Sequence, residues 1–294
     1  MGYLFLCISL LAGAAKGFCG KKASGIVTGL RDSVLASILR MGLCVIIGLA
    51  IVICTGSTAH LYPNTVLLLT SALSGVSTSI FVVSWLCSVR KSAYMLVDVF
   101  LMLGVLVPIL LGNICFSEQI SGNQWLGIGI LFCAVIVLCS YNNSIKAKLT
   151  LPALLLLALS GLTNGITDFS QKLFTNLLPE TPASVFNFYT YVFAFITLSI
   201  CLLFFKKEAA GRQQPFNKIF GYIPVMALCL FANSLFKTMA ATHLDSVLLY
   251  PLNQGAALIL STLMSAVFFR ERLNSKCVLG ICVAFIGLLV INVL

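Results

Sequence analysis

Charge is what this sequence has least of: charged side chains make up 9% of its 294 residues, where ordinary soluble domains carry about 25%. So little charge cannot clothe a water-exposed surface, which excludes soluble enzymes, secreted scaffolds and nucleic-acid-binding modules. Histidine is almost missing as well. The two copies, His60 and His243, have no paired acids or metal-ligand spacing around them, so metal-centred chemistry lacks its parts. No CxxC pair occurs among the twelve cysteines, and most of them (Cys7, Cys44, Cys133, Cys201, Cys229 and Cys282 among these) sit inside apolar runs as small hydrophobes. A Walker-type glycine loop is absent, which removes nucleotide hydrolysis by this chain. No cofactor, no metal and no catalytic residue is expected.

What the chain has is hydrophobicity: 60% of residues are hydrophobic and the mean hydropathy is +1.08. A helix crossing a bilayer needs about 20 apolar residues. Apolar runs bounded by polar or Gly/Pro-rich breaks predict spans near 3–20, 33–54, 65–87, 93–115, 124–141, 152–174, 184–205, 219–241, 246–269 and 275–293. The breaks hold helix-ending chemistry, as in Tyr62-Pro63-Asn64, Ser121-Gly122-Asn123, Pro179-Glu180-Thr181-Pro182 and Gln213-Gln214-Pro215. The fold class is therefore an all-α membrane protein with ten transmembrane helices. Leu4 to Leu11, ahead of Ala12-Gly13-Ala14, has the look of a cleaved signal peptide, but Lys21 and Lys22 follow the apolar run instead of preceding it, so it reads as the first span.

The formal charge of +10 needs its own explanation. Odd-numbered loops carry Lys21, Lys22, Arg31, Arg90, Lys91, Lys146, Lys148, Lys206, Lys207, Arg212, Lys218, Arg270, Arg272 and Lys276, while even-numbered loops carry no Lys or Arg. Positive loops stay cytoplasmic, so the chain is expected in the cell membrane with its odd-numbered loops cytoplasmic and both termini outside.

Aligned on itself, the chain repeats. Phe116, Glu118, Leu126, Gly127, Ile128, Phe132 and Val137 recur as Phe269, Glu271, Leu279, Gly280, Ile281, Phe285 and Val290 at a constant offset of 153. Gly13 and Gly17 correspond to Gly161 and Gly165 at an offset of 148. Five helices per copy is an odd number, so the second copy enters the membrane upside down. The expected organisation is two inverted five-helix repeats, 1–148 and 149–294, with a site near the midplane between them.

This pattern resembles the EamA-like ten-helix members of the drug/metabolite transporter superfamily. The resemblance rests on Pro108-x9-Glu118, followed by Leu126-Gly127-Ile128 and Ala134, and on its second copy, Glu271-Arg272-Leu273, followed by Leu279-Gly280-Ile281 and Gly287. The second copy departs from it with Ser261 where a proline would stand. The resemblance implies a secondary carrier that moves a small metabolite or drug through a central cavity by alternating access, proton coupling included. The alternative on the same scaffold is a lipid flippase or a non-transporting membrane sensor. Expected partners are a small-molecule substrate and membrane lipid, with no nucleic acid. Gly127, Ala134, Gly280 and Gly287 leave open a homodimer through helices 5 and 10 or packing within the monomer.

A charge at the centre of a membrane helix costs about 2.5–3.5 kcal/mol on insertion scales, so ionisable residues inside spans are the natural site candidates. Among the acids these are Asp98 and Asp168. Asp98 lies about 10 Å past the cytoplasmic end of its span, at a depth comparable to Lys16, and the two are expected either to form a switchable pair or to sit as a static one, with snorkelling the third option for Lys16. Asp168 has Lys172 one turn on, at i+4, and Lys237 as a second partner. Asn164, Asn233, Asn253 and Gln254 add neutral hydrogen-bonding groups suited to a polar substrate or to helix packing. Tyr250 and Pro251 open span 9, where proline removes a donor and leaves carbonyls free to line a cavity; Pro108 and Pro224 share that reading, whereas Pro152 is a plain helix start. Phe186, Phe188, Tyr189, Tyr191 and Phe193 are expected to face lipid or the interface. Arg40 is expected to reach the cytoplasmic interface.

Overall fold

The computed structural model describes residues 1–24, 30–62, 64–91, 94–141, 151–204, 221–268 and 275–293. All regular structure in them is helical: α1 (Gly2–Ser24), α2 (Leu30–Cys54), a 3-10 turn (Ser57–Leu61), α3 (Thr65–Lys91), α4 (Tyr94–Gly104), α5 (Leu106–Phe116), α6 (Gly122–Tyr141), α7 (Leu151–Leu177), α8 (Ala183–Phe204), α9 (Ile223–Ala241), α10 (Ser246–Phe268) and α11 (Ser275–Val293). Among the described residues, α1, α2, α3, α7, α8, α9 and α10 each hold a stretch long and apolar enough to cross a bilayer, and Phe100–Phe116 and Val278–Ile291 are shorter apolar segments. The chain is an all-helical, multi-pass membrane protein. Of the cationic loop residues, Lys146, Lys148, Lys206, Lys207, Arg212, Lys218, Arg270 and Arg272 lie outside the described residues, as do the side chains of Arg90, Lys91 and Lys276.

The packing is inside out compared with a water-soluble bundle. Large apolar side chains such as Leu11, Ile46, Leu69, Leu155, Ile200, Leu228 and Phe285 are exposed on the outer faces, while Ser71, Ser74, Ser79, Ser88, Ser160 and Thr262 are buried. Lipid tails offer no hydrophobic drive to bring helices together, so close approach through small residues does the work. α3 shows how. Its Ser77 and Ser79 hydroxyls donate back to Leu73 O at 2.6 Å and Gly75 O at 2.8 Å, which satisfies them within the helix. A Cβ added at Gly75 would lie 2.6 Å from Thr190 O, so α3 and α8 touch nearly backbone to backbone.

The span predicted at 93–115 is two helices, α4 and α5, with a turn at Val105 between them. Pro108 is the cause. It has no N–H to give the carbonyl four residues back, on Gly104, and its ring crowds that carbonyl. The freed Gly104 carbonyl lies against α7, where a Cβ on Gly165 would be 2.2 Å from it, and a Cβ on Gly104 would be 2.0 Å from Gly161 O. Pro224 does not act this way: it stands in the first turn of α9 as a plain helix start. Pro251 lies inside α10 without breaking it.

α6 packs along α11, α3 along α7 and α8, α1 along α9, and α2 along α8, with α4 and α5 laid against α7 and α10. The stripe of small residues on α6 and α11, the fifth and tenth expected spans, is used within the chain, because a Cβ on Gly127 would lie 2.9 Å from Gly287 O and one on Gly287 would lie 3.1 Å from Gly127 O. What α6 and α11 turn outward is apolar: Trp125, Leu126, Ile136, Leu279, Phe285 and Leu289. Two of the five aromatics of α8 depart from expectation, while Phe188, Tyr189 and Phe193 are half-buried. Phe186 and Tyr191 are fully buried, Phe186 stacking on Phe174 with centroids 4.3 Å apart and Tyr191 donating to Leu230 O at 3.3 Å. α8 is packed by both α2 and α3, so protein rather than lipid covers that face.

Candidate functional site

Six of the residues singled out in the sequence, Lys16, Asn164, Asn233, Lys237, Asn253 and Gln254, line one cavity of about 610 Å3, counted out through its open side. They come from α1, α7, α9 and α10, and Phe81 and Trp85 of α3 and Leu101 of α4 complete the wall. Glycines make room for it: Gly13 and Gly17 present bare backbone to the cavity, and a Cβ on Gly13 would strike Asn233 Nδ2 at 2.9 Å. Asn233 is fixed by donating from Nδ2 to Ser9 O at 2.8 Å and to Ser9 Oγ at 3.0 Å. Lys16 holds its ammonium 5.9 Å from the centroid of the Phe81 ring, within cation–π range. Asp98 stands on α4, but its side chain lies outside the described residues.

Beneath the cavity wall lies the most buried charge of the described residues. Asp168 is wholly inaccessible, and its Oδ1 is ion-paired with Lys237 Nζ. Its Oδ2 accepts a hydrogen bond from Asn164 Nδ2 at 3.3 Å. The Tyr250 hydroxyl donates to the Asp168 backbone carbonyl at 2.6 Å. Tyr250 is itself completely buried, so it braces α7 at Asp168 from α10 instead of lining the cavity. A carboxylate this deep persists as a charge only when its lone pairs are met, and here Lys237 and Asn164 meet them. A separate polar chain runs between α7, α8 and α9: Gln171 Nε2 donates to Ser234 Oγ at 3.1 Å, Ser234 Oγ to Asn187 Oδ1 at 2.5 Å, and Asn187 Nδ2 to Thr238 Oγ1 at 3.2 Å.

Lys172 does not pair with Asp168. Although one turn away on α7, it reaches Glu118 Oε1 at 2.9 Å and Asp245 Oδ1 at 4.0 Å, and donates to Leu244 O at 3.0 Å. Lys237 across the bundle has taken the carboxylate. Glu118 is the residue that reading by spans missed, because its place just past α5 suggested an exposed loop. Its side chain is only 10% exposed. Ser117 adopts a left-handed conformation with φ 55°, which ends α5 and turns the chain back. Gly112 leaves the space for the carboxylate, since a Cβ there would be 2.9 Å from Glu118 Oε2. That same oxygen accepts the Ser246 N–H at 3.0 Å at the start of α10, a helix end that favours negative charge. The signal was present in Pro108-x9-Glu118, as a motif without a location. Beside Lys172 an open polar cleft of about 590 Å3 is lined by Thr175, Asn176, His243 and Asp245, among others.

Two charged groups are thus stacked along α7, the Asp168–Lys237 pair at the cavity and the Lys172–Glu118 pair one turn closer to the open cleft. The arrangement can bind a polar solute through amides and ammonium groups in a lipid-shielded space, and it offers ion pairs that a proton or a charged solute can rearrange.

Comparison with known proteins agrees with this anatomy. No curated protein matches the sequence. One solved structure, described only as a crystal structure of protein, is similar in fold over 99% of this chain and 96% of its own, with a TM-score of 0.72 and 15% identity. Residues 151–293, close to half of the chain, match the EamA-like transporter family.

Proposed function

We propose that the protein is a secondary transporter, not an enzyme, carrying a small polar metabolite or drug through the cavity by alternating access. The observation that carries this reading is the convergence of polar side chains from both halves of the chain on one cavity, with the Asp168–Lys237 pair set directly behind its wall. The expected repeats, 1–148 and 149–294, find support in the packing. Exchange α1 with α7, α2 with α8, α3 with α9, α4 and α5 with α10, and α6 with α11. The contacts of α3 with α7 and α8 then become those of α9 with α1 and α2, and the contacts of α4 and α5 with α7 become those of α10 with α1, all of which are made. That is the behaviour of two inverted five-helix units around a shared axis. Asn164, Asp168, Lys237, Asn253 and Gln254 come from the second unit and Lys16 and Asp98 from the first, so substrate binding is shared by both.

Coupling is assigned to Asp168, with the pairing of Lys16 and Asp98, expected from the sequence, proposed as its counterpart on the cationic side. Protonating Asp168 would release Lys237, which lines the cavity. Tyr250 and Lys172 act on this group indirectly, Tyr250 by holding α7 and Lys172 by holding Glu118. The test is transport in vesicles loaded with a pH-sensitive dye, presented with a panel of small polar solutes. A solute that moves the internal pH in the wild type and not in Asp168→Asn supports the reading. Full, pH-independent flux in both Asp168→Asn and Asp98→Asn refutes the coupling.

A further inference from the structure

Arg40 lies in α2, about 15 Å along the helix from its start at Leu30, and was expected at the interface. It is instead 3% exposed. Its Nε and Nη2 are buried without a hydrogen-bond partner, and among the described residues no carboxylate pairs with it. The polar groups nearest it turn their hydrogens elsewhere and none accepts from Nε or Nη2: Ser37 Oγ donates to Ser33 O at 2.7 Å, Cys44 Sγ to Ala227 O at 3.4 Å and the Tyr191 hydroxyl to Leu230 O. Arg40 borders a narrow pocket whose other walls are Ala23, Ala36, Ser37, Leu86, Ile223 and Met226. The pocket has room for about one water, so an anion reaching the guanidinium has to widen it past the small side chains Ala23, Ala36 and Ser37. The pocket is separate from the central cavity. The two share no lining residue, and Trp85 of the cavity wall closes on Gly20, where a Cβ would lie 2.4 Å from the indole and 3.5 Å from Met226 of the pocket. It faces the end of the bundle where α1 finishes with Lys21 and Lys22.

A buried guanidinium with open donors is costly unless an anion meets it. The two open nitrogens are also a specific pair. Nε and Nη2 form one edge of the guanidinium, whose parallel N–H groups grip both oxygens of a carboxylate or phosphate at once. Neighbouring cations on α1 would draw an anion toward this end. We infer that Arg40 and its pocket form a binding site for an anionic oxygen group, a phosphate or carboxylate, separate from the central cavity and supplied either by a lipid headgroup or by a free anion.

The experiment follows thermal unfolding of the full chain in neutral detergent. Sodium phosphate and sodium acetate are titrated against sodium chloride at matched ionic strength, and phosphatidylglycerol against phosphatidylcholine. A saturable rise in melting temperature is expected in at least one arm: with a salt if the anion is free, with phosphatidylglycerol alone if it belongs to a lipid. Arg40→Gln removes the rise. Arg40→Lys weakens apparent affinity at least tenfold, since an ammonium cannot present the two-donor edge. Ala36→Leu fills the pocket while keeping Arg40, and also removes the rise, which decides the matter if Arg40→Gln does not fold. No saturable rise in any arm, or a rise unchanged in Arg40→Gln and Ala36→Leu, overturns the site. Because binding is read without transport, its failure leaves the transporter reading untouched.

Discussion

Removing Lys237 should damage the protein more than removing both members of its ion pair. Asp168 is fully buried and the Lys237 side chain is 7% exposed, so in Lys237→Met the carboxylate is left with only the Asn164 amide at 3.3 Å. Breaking one side of such a pair costs about 3–5 kcal/mol, whereas replacing both partners with neutral groups of similar shape is often close to neutral. At about 2–4 °C per kcal/mol for chains of roughly this size, the single variant should melt on the order of 10 °C lower. The double variant Asp168→Asn, Lys237→Met keeps an amide opposite Asn164 and buries no charge, so it should recover at least half of that loss. The assay is a four-protein cycle of thermal unfolding in one detergent. A double variant whose loss equals the sum of the two single losses, to within about 0.5 kcal/mol, would show that the two groups do not depend on each other and would refute the argument.

Other substitutions test the packing and the orientation. Gly104→Ala places a Cβ 2.0 Å from the Gly161 carbonyl, and because backbone cannot give way it should destabilise by about 1–3 kcal/mol; Gly129→Ala, with nothing within 4 Å, should be neutral or gain about 0.5–1 kcal/mol. Equal melting temperatures for these two variants would contradict the close contact of α4 with α7. Glu118→Gln keeps an acceptor for the Ser246 N–H and loses the charge facing Lys172, so it should melt below the wild type but about 1 kcal/mol above Glu118→Ala, which loses the helix-capping bond as well; identical melting temperatures for the two would remove the capping role. A fluorescent protein that matures only in the cytoplasm should stay dark when fused to the carboxyl terminus and glow when inserted near residue 210, and the reverse result would invert the topology.

Helix positions were legible because a bilayer imposes one length and one composition on anything that crosses it. The expected spans at 65–87, 184–205 and 246–269 differ from α3, α8 and α10 by a few residues at most. The break at Val105 was not foreseen as a division into two helices, although Pro108 carried its cause. Partner choice was harder to read. Helix spacing offers Lys172 to Asp168, and only the approach of α9 brings Lys237 to that carboxylate. Burial was harder still: Glu118, just past a helix end, and Arg40, two turns inside its expected span, both look solvated by position, and both are enclosed by helices distant in sequence. Phe186 and Tyr191 of the α8 aromatic run were misread for the same reason, since amphipathic patterning in lipid cannot say which neighbour covers a face.

The contact of Gly104 with Gly161 and Gly165 bears on how the bundle changes shape. Where two helices meet through backbone atoms, no side chain can switch rotamer to accommodate sliding, and small displacements forfeit the contact outright. α4 comes from the first half of the chain and α7 from the second, so this seam rivets the two halves together at one place beside the cavity. In the proposed transport cycle, opening and closing would turn about the rivet with α4 and α7 travelling as one piece, so the moving parts would differ from the two expected repeats.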